Sequence, residues 1–214
     1  ENDITTILSN VLGALPGHAA PLQICAGWAL AKITQSSFYP ESNNTITISL
    51  ISFSRLSGGT GVTVTGLLGA QTQSSSNFTV IAGGSSSAFW RAAQWDQDTG
   101  SISLSIGAGQ FLQENTLYLI MFTLLNPGKE QSSQSTSIFS TEASSVMGAA
   151  VAMQTESDLI LPIPGAVAGD AAPMLVKARG FSLKTLGQSN PFPGARNTLR
   201  LSVAINSLQP FGSM

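Results

Sequence analysis

The clearest order in this chain is alternation. Between Asn44 and Ser52 the apolar residues Ile46, Ile48 and Leu50 fall on every second position, with Thr45, Thr47 and Ser49 between them. A period of two in β-branched residues turns one face of a strand to a core and the other to water. The same pattern recurs at Ile102, Leu104 and Ile106, which alternate with serines, and again at Leu199, Leu201 and Val203. Further strands are predicted over Leu22–Ile33, around Val62 and Val64, and over Asn77–Ala82. Leu117–Leu125 is apolar at nearly every position and stops at Asn126-Pro127-Gly128, which predicts a strand buried on both faces in the middle of a sandwich.

Turn residues punctuate these runs. Ser57-Gly58-Gly59-Thr60-Gly61, Gly83-Gly84-Ser85-Ser86 and Asp96-Gln97-Asp98-Thr99-Gly100 read as turns, because Asp accepts local backbone bonds and Gly supplies positive φ. Lys129–Ser137 reads as a polar loop, and the Ala/Gly-rich piece Ser144–Met153 fits a strand or a short helix equally. Many short strands with no convincing amphipathic helix predict an all-β fold, an antiparallel immunoglobulin-like β-sandwich.

The order of the chain is partly repeated. Ala19–Leu56 has a counterpart in Ala171–Leu208: Pro21 matches Pro173, Gln35-Ser36 matches Gln188-Ser189, Pro40 matches Pro193, and Asn44-Thr45 matches Asn197-Thr198. The offset is 173 − 21 = 152 at the head of the match and 188 − 35 = 153 from Gln35 onward, and it slips by one residue around the Lys32/Lys184 segment, as a loop insertion would. A period of this length is the size of a small domain. The expected organisation is one full repeat plus part of the next: residues 1–18 as the tail of a preceding unit, 19–170 as a sandwich unit, and 171–214 as the opening strands of a second. Those opening strands are too few to close a core, so they are expected to complete the first unit or to be donated to a neighbour.

Composition changes the picture in one respect. Of 214 residues 43% are hydrophobic but only 9% are charged, with a net charge of −2. An ordinary soluble domain carries about 25% charged residues. A surface of Ser, Thr, Gly, Gln and Asn offers little like-charge repulsion against packing on copies of itself. The nine basic residues are scattered, so nucleic acid is not an expected partner. The longest apolar run is about half the roughly 20 residues that a membrane-crossing helix needs, so membrane insertion is not expected. Cys25 is the single cysteine, flanked by Ile24 and Ala26, and reads as a small buried hydrophobe. The chain begins at Glu1 without a methionine, as a processed or excised segment would.

Catalytic chemistry has no foothold in the residues. The single histidine, His18, sits in a Gly/Pro-rich lead-in, and no serine has a nucleophile-elbow context. No enzyme activity and no cofactor are expected. Asp96 and Asp98 are weak metal candidates, since D-x-D can open a calcium loop; the twelfth position, where such a loop places a glutamate, is Gly107. Phe89, Trp90 and Trp95 offer rings for stacking on a sugar, with Trp90 and Trp95 the candidate residues, although aromatic residues in strands are usually core. Asn43-Asn44-Thr45 and Asn77-Phe78-Thr79 are N-glycosylation sequons, on Asn43 and Asn77.

The runs G-V-T-V-T-G-L-L-G-A-Q-T (61–72), A-Q-W-D-Q-D-T-G-S-I-S-L-S-I-G-A-G-Q (93–110) and Y-L-I-M-F-T-L-L-N-P (118–127), with the Q-S, P-G and N-T-L block, resemble large tandem-repeat proteins of algae and other protists, of the flagellar-hair or cell-coat type. The resemblance covers most of the chain and implies an extracellular or cell-surface location and an architecture, not a reaction. The resulting expectation is a non-enzymatic structural module that self-associates into a filament or surface coat. Its expected partners are copies of itself or neighbouring repeats, with glycans as further candidates. The alternative is a carbohydrate-binding or adhesive sandwich.

Overall fold

The computed structural model describes residues 27–83, 90–141, 148–155, 166–178 and 180–205. The lead-in with His18 and Cys25 lies outside them, as does the ring of Phe89. Among the described residues the regular structure is all strand. In chain order the strands are β1 (Trp28–Gln35), β2 (Asn43–Ser52), β3 (Leu56–Ser57), β4 (Gly61–Thr65), β5 (Ile81–Gly83), β6 (Trp90–Asp96) and β7 (Ser101–Ile106). They continue as β8 (Phe111–Leu112), β9 (Tyr118–Leu125), β10 (Ser137–Ser140), β11 (Val151–Ala152), β12 (Gln154–Thr155), β13 (Phe181–Gln188) and β14 (Leu199–Ile205).

Two five-stranded sheets, ordered β12-β1-β2-β9-β5 and β11-β10-β4-β7-β6, pack as an immunoglobulin-like sandwich. Their ladders are antiparallel except for β1 with β12. The alternation read from the sequence is what closes the core. Ile33, Ile46, Ile48, Leu50, Ile120 and Phe122 face Val62, Val64, Ile102, Leu104, Ile106 and Ile138 across the two inner faces. The chain changes sheets at Met153, between β11 on β10 and β12 on β1, with the Met153 N–H held by the Thr136 carbonyl at 2.9 Å.

Three expectations are corrected. First, β9 is not buried on both faces: Tyr118, Ile120, Phe122 and Leu124 point inward, whereas Leu119 and Thr123 are exposed. Its outer face meets water at these positions, which an antiparallel sheet tolerates. Second, regular pairing in the Asn77–Ala82 segment starts only at Ile81. Before that the chain runs along the other sheet, where Phe78 donates to the Ala93 carbonyl and Ser75 exchanges both backbone bonds with Trp95. Third, the polar run after Lys129 ends in a strand, β10, that pairs with β4. Of Ser144–Met153, the described part contains β11, a two-residue strand.

The turn at Asp96–Gly100 joins β6 to β7 as expected. Asp96 Oδ1 accepts from the N–H groups of Asp98 and Thr99 at 3.0 and 3.4 Å. Gly100 takes φ of 59°, and a Cβ there would lie 2.6 Å from the Leu67 carbonyl carbon, so the turn also presses on the neighbouring loop.

β13 and β14 form a separate two-stranded sheet. This hairpin matches β1–β2 at the offset read from the sequence. The copies agree in register: Gln35 faces Ile46 and Gln188 faces Leu199, while Trp28 faces Ser52 and Phe181 faces Ile205, each related by 153 (181 − 28, 205 − 52). Both carry a bulge at the same place, between Trp28 and Leu30 and between Phe181 and Leu183. The pairing of Lys32 with Lys184 is therefore out of register. At the structural offset Lys184 takes the place of Ala31, and Thr185 that of Lys32.

Candidate interaction site

The best-defined polar constellation lies where β1 turns into β2. Asn44 is wholly buried, and its amide is fully used. Its Oδ1 accepts the N–H groups of Ser36 and Ser37, both at 3.1 Å. Its Nδ2 donates to Gln35 Oε1 at 2.9 Å and to Asn126 Oδ1 at 2.8 Å. Asn126, just past β9, sends its own Nδ2 to the carbonyls of Ser37 and Tyr39. Gln35 Nε2 donates to the carbonyls of Asp170 and Leu175. Three neutral amides thus tie the β1–β2 turn to β9 and to the segment after residue 166. A buried network of this kind is stable only when its members are satisfied, and these are.

The segment 166–178 is held closely to the same turn. Gln35 N–H donates to the Ala171 carbonyl and Lys177 N–H to the Phe38 carbonyl, while Gln131 and Val176 exchange two backbone bonds of 2.9 Å. Lys177 Nζ lies 2.7 Å from Asp170 Oδ2 and 4.7 Å from the centre of the Phe38 ring. Phe38, Ala171, Met174 and Val176 are buried. Ala171–Val176, which sequence comparison places at the head of the second repeat, is therefore packed on the first sandwich.

The second hairpin rebuilds the turn network in the open. Asn197 Oδ1 accepts from Ser189 and Asn190, both at 3.1 Å, and Asn197 Nδ2 donates to Gln188 Oε1 at 2.9 Å. Thr198 N–H reaches Ser189 Oγ at 2.8 Å, as Thr45 N–H reaches Ser36 Oγ at 2.8 Å. Gly194, with φ of 75°, stands where Glu41 takes φ of 54°. Environment is what differs. Ile33, Ile46, Ile48 and Leu50 are at most 1% exposed, whereas their counterparts Leu186, Leu199, Leu201 and Val203 are 71%, 65%, 67% and 51% exposed.

The residues singled out for other chemistry are dispersed. Asn43 and Asn77 are both exposed, the first at the start of β2 and the second in the loop before β5. Asp96 spends Oδ1 on its own turn and Asp98 is exposed beside it; among the described residues no group of three or more His, Cys, Asp or Glu side chains is placed to hold a metal ion. Trp95 is corrected as a sugar-stacking residue. It is 2% exposed, packs near Phe78, and donates its indole N–H to the Thr72 carbonyl at 2.9 Å. Trp90 begins β6, and its side chain lies outside the described residues. The shallow groove over this strand presents Ser74, Ser75, Ser76, Gln94 and Ser103, so hydroxyls and an amide face water there. Among the described residues no helix is long and apolar enough to cross a membrane.

Gln35, Asn44 and Asn126 were not picked out from the sequence as a working set. The signal was present in the doubled Q-S and N-T pairs, which mark the repeat and also turn out to be its turn network.

No family model matches the chain, and no curated protein matches it. Among solved structures, the chain is similar to an uncharacterized protein from Nocardia farcinica with an immunoglobulin-like fold, at 15% identity and a TM-score of 0.32 over 69% of this chain and 98% of that one. It is also similar to a family GH18 chitinase from Chromobacterium violaceum, at 16% identity and a TM-score of 0.26 over 63% of this chain and 20% of that one.

Proposed function

We propose that this chain is a non-enzymatic structural module, one repeat of an array that associates with further units of its own kind into an extracellular filament or surface coat. The observation that carries the reading is the second hairpin: a register-matched counterpart of β1–β2 whose equivalents of the core-facing side chains stand in water. Contiguous exposed apolar surface of this kind marks an interaction site, and an unpaired strand edge is a template for another strand. The low charge removes the repulsion that would oppose such packing. Exposed Asn43 and Asn77 are compatible with glycan attachment, which would keep a weakly charged surface soluble.

Sedimentation velocity across a concentration series, with electron microscopy of the same samples, tests the proposal. The chain is expected to associate as concentration rises. The double variant Leu199→Ser/Leu201→Ser is expected to stay monomeric with an unchanged melting temperature, because both side chains are already exposed. A chain that stays monomeric throughout, or a variant that associates as the parent does, would overturn it.

A further inference from the structure

We infer that the edge of β14, which among the described residues pairs only with β13, is a docking site for one kind of strand: an extended segment of β9 chemistry from another unit of this repeat, running antiparallel to β14 and ending in an Asn that Asn197 receives. The inference rests on the repeat-array reading and adds to it the occupant, its direction and its register.

The first copy shows the site filled. β2 pairs with β9 antiparallel from Asn43 opposite Leu125 to Leu50 opposite Tyr118. In that register Ile46, Ile48 and Leu50 lie opposite Phe122, Ile120 and Tyr118, all buried. One residue past the strand, Asn126 accepts the second N–H of the Asn44 amide. Moved by 153, the corresponding positions are Arg196 to Val203. The apolar row Leu199, Leu201, Val203 is present, the Asn is present, and its Oδ1 is already held by the same two turn N–H groups.

What the second copy lacks is what the occupant supplies. Asn197 Nδ2 makes one side-chain bond, to Gln188, where Asn44 makes two. Gln188 stands in the place of Gln35, whose Nε2 reaches two carbonyls of the 166–178 segment, so its partners are not the ones a β9-type strand brings. The Asn197 amide is preset by the turn, so a strand ending in Leu-Asn finds the N–H donor for its Asn already placed. This selects against an arbitrary apolar peptide, which would cover the leucines and leave the Asn197 amide without its partner. Lys184 is the one charged residue on the inward row; it replaces Ala31 near the bulged end, away from the Asn197 turn.

The probe is a labelled synthetic peptide with the sequence of residues 116–128 and a terminal lysine tail, titrated into the whole chain by fluorescence anisotropy. Hydrogen exchange is followed along β14. Saturable binding is expected, with slowed exchange between Asn197 and Val203. Asn197→Ala and Leu201→Ser in the chain, or Ala at the peptide's Asn126 position, should each weaken binding about five-fold or more. Thr185→Lys, which restores the lysine of the first copy on the outer face, should leave binding unchanged. A scrambled peptide that binds equally, no binding up to about 1 mM, or full affinity with Asn197→Ala and Leu201→Ser would overturn the inference. The two readings separate in the same samples. Self-association without specific peptide binding keeps the array and removes this register, whereas specific binding by a chain that stays monomeric keeps the docking edge and removes self-association.

Discussion

Replacing Asn44 by Ala, with Asn197→Ala beside it, asks what burial adds to a fixed set of hydrogen bonds. Truncating Asn44 takes the partner from three groups: Ser37 N–H, Gln35 Oε1 and Asn126 Oδ1. Ser36 N–H keeps its bond to the Thr45 carbonyl. Each buried group left without a partner costs about 1–3 kcal/mol. A water admitted into the vacated space recovers part of this, so the expected loss is about 3–6 kcal/mol. Total stabilities run about 5–15 kcal/mol, and a domain of this size loses roughly 2–4 °C per kcal/mol. The Asn44→Ala chain should therefore melt about 6–24 °C below the parent. Asn197 makes the same local bonds in water, and its truncation should cost under about 0.5 kcal/mol and move the sandwich melting point by less than about 2 °C. Calorimetry of the two variants decides. The reasoning fails if Asn44→Ala melts within about 2 °C of the parent, or if both variants shift alike.

Two further perturbations test the fold. Gly100→Ala places a methyl group against the Leu67–Leu68 backbone at positive φ, while Gly109→Ala, at φ of 75°, meets nothing within 4 Å. Gly109→Ala should cost about 1–2 kcal/mol for the left-handed backbone alone, and Gly100→Ala roughly 1–3 kcal/mol more for overpacking, as measured by urea unfolding. Asp170→Ala removes the acceptor of Lys177 Nζ and of the Val167 N–H. Because Lys177 retains partial access to water, the cost should be about 2–3 kcal/mol, below the 3–5 kcal/mol of a fully buried pair. Backbone amides of 171–177 should then exchange faster than those of β2 and β9.

The strands that face water on one side were legible because their alternation is the fold's own inside-outside rule. β2 and β7 stand where that pattern puts them, and β14 forms where it was expected but with its apolar row exposed. β9 misled, since an apolar side chain such as Leu119 costs little at a surface, and exposed leucine is ordinary. Trp95 follows the ordinary rule for a strand aromatic and not the sugar-stacking alternative: with its N–H satisfied locally it is core. Asn126 was legible as a breaker beside Pro127 and Gly128, but the three partners of its side chain lie more than eighty residues away, a distance no local pattern spans. The Lys32–Lys184 match failed for a further reason. A one-residue slip reverses the face of every side chain, and letter identity at one position carries less information than the bulge and the Asn turn that set the register.

The two hairpins together separate what is local from what is contextual. Strand register, the bulge, the left-handed residue at 41 and 194, and the Asn–Gln–Ser turn network recur in a copy that belongs to neither large sheet. These features therefore follow from the hairpin's own sequence. Burial, by contrast, comes from β9, β12 and the 166–178 segment, which the second copy does not share. A two-stranded ribbon with a water-facing apolar row is marginal by itself, yet its turn presents the Asn197 amide in the orientation that β9 meets at Asn44. A prepaid geometry of this kind lowers the ordering cost of adding a strand. On the proposed array reading, extension would require only a partner that supplies the β9-type edge, and β9 on β2 displays what that edge looks like.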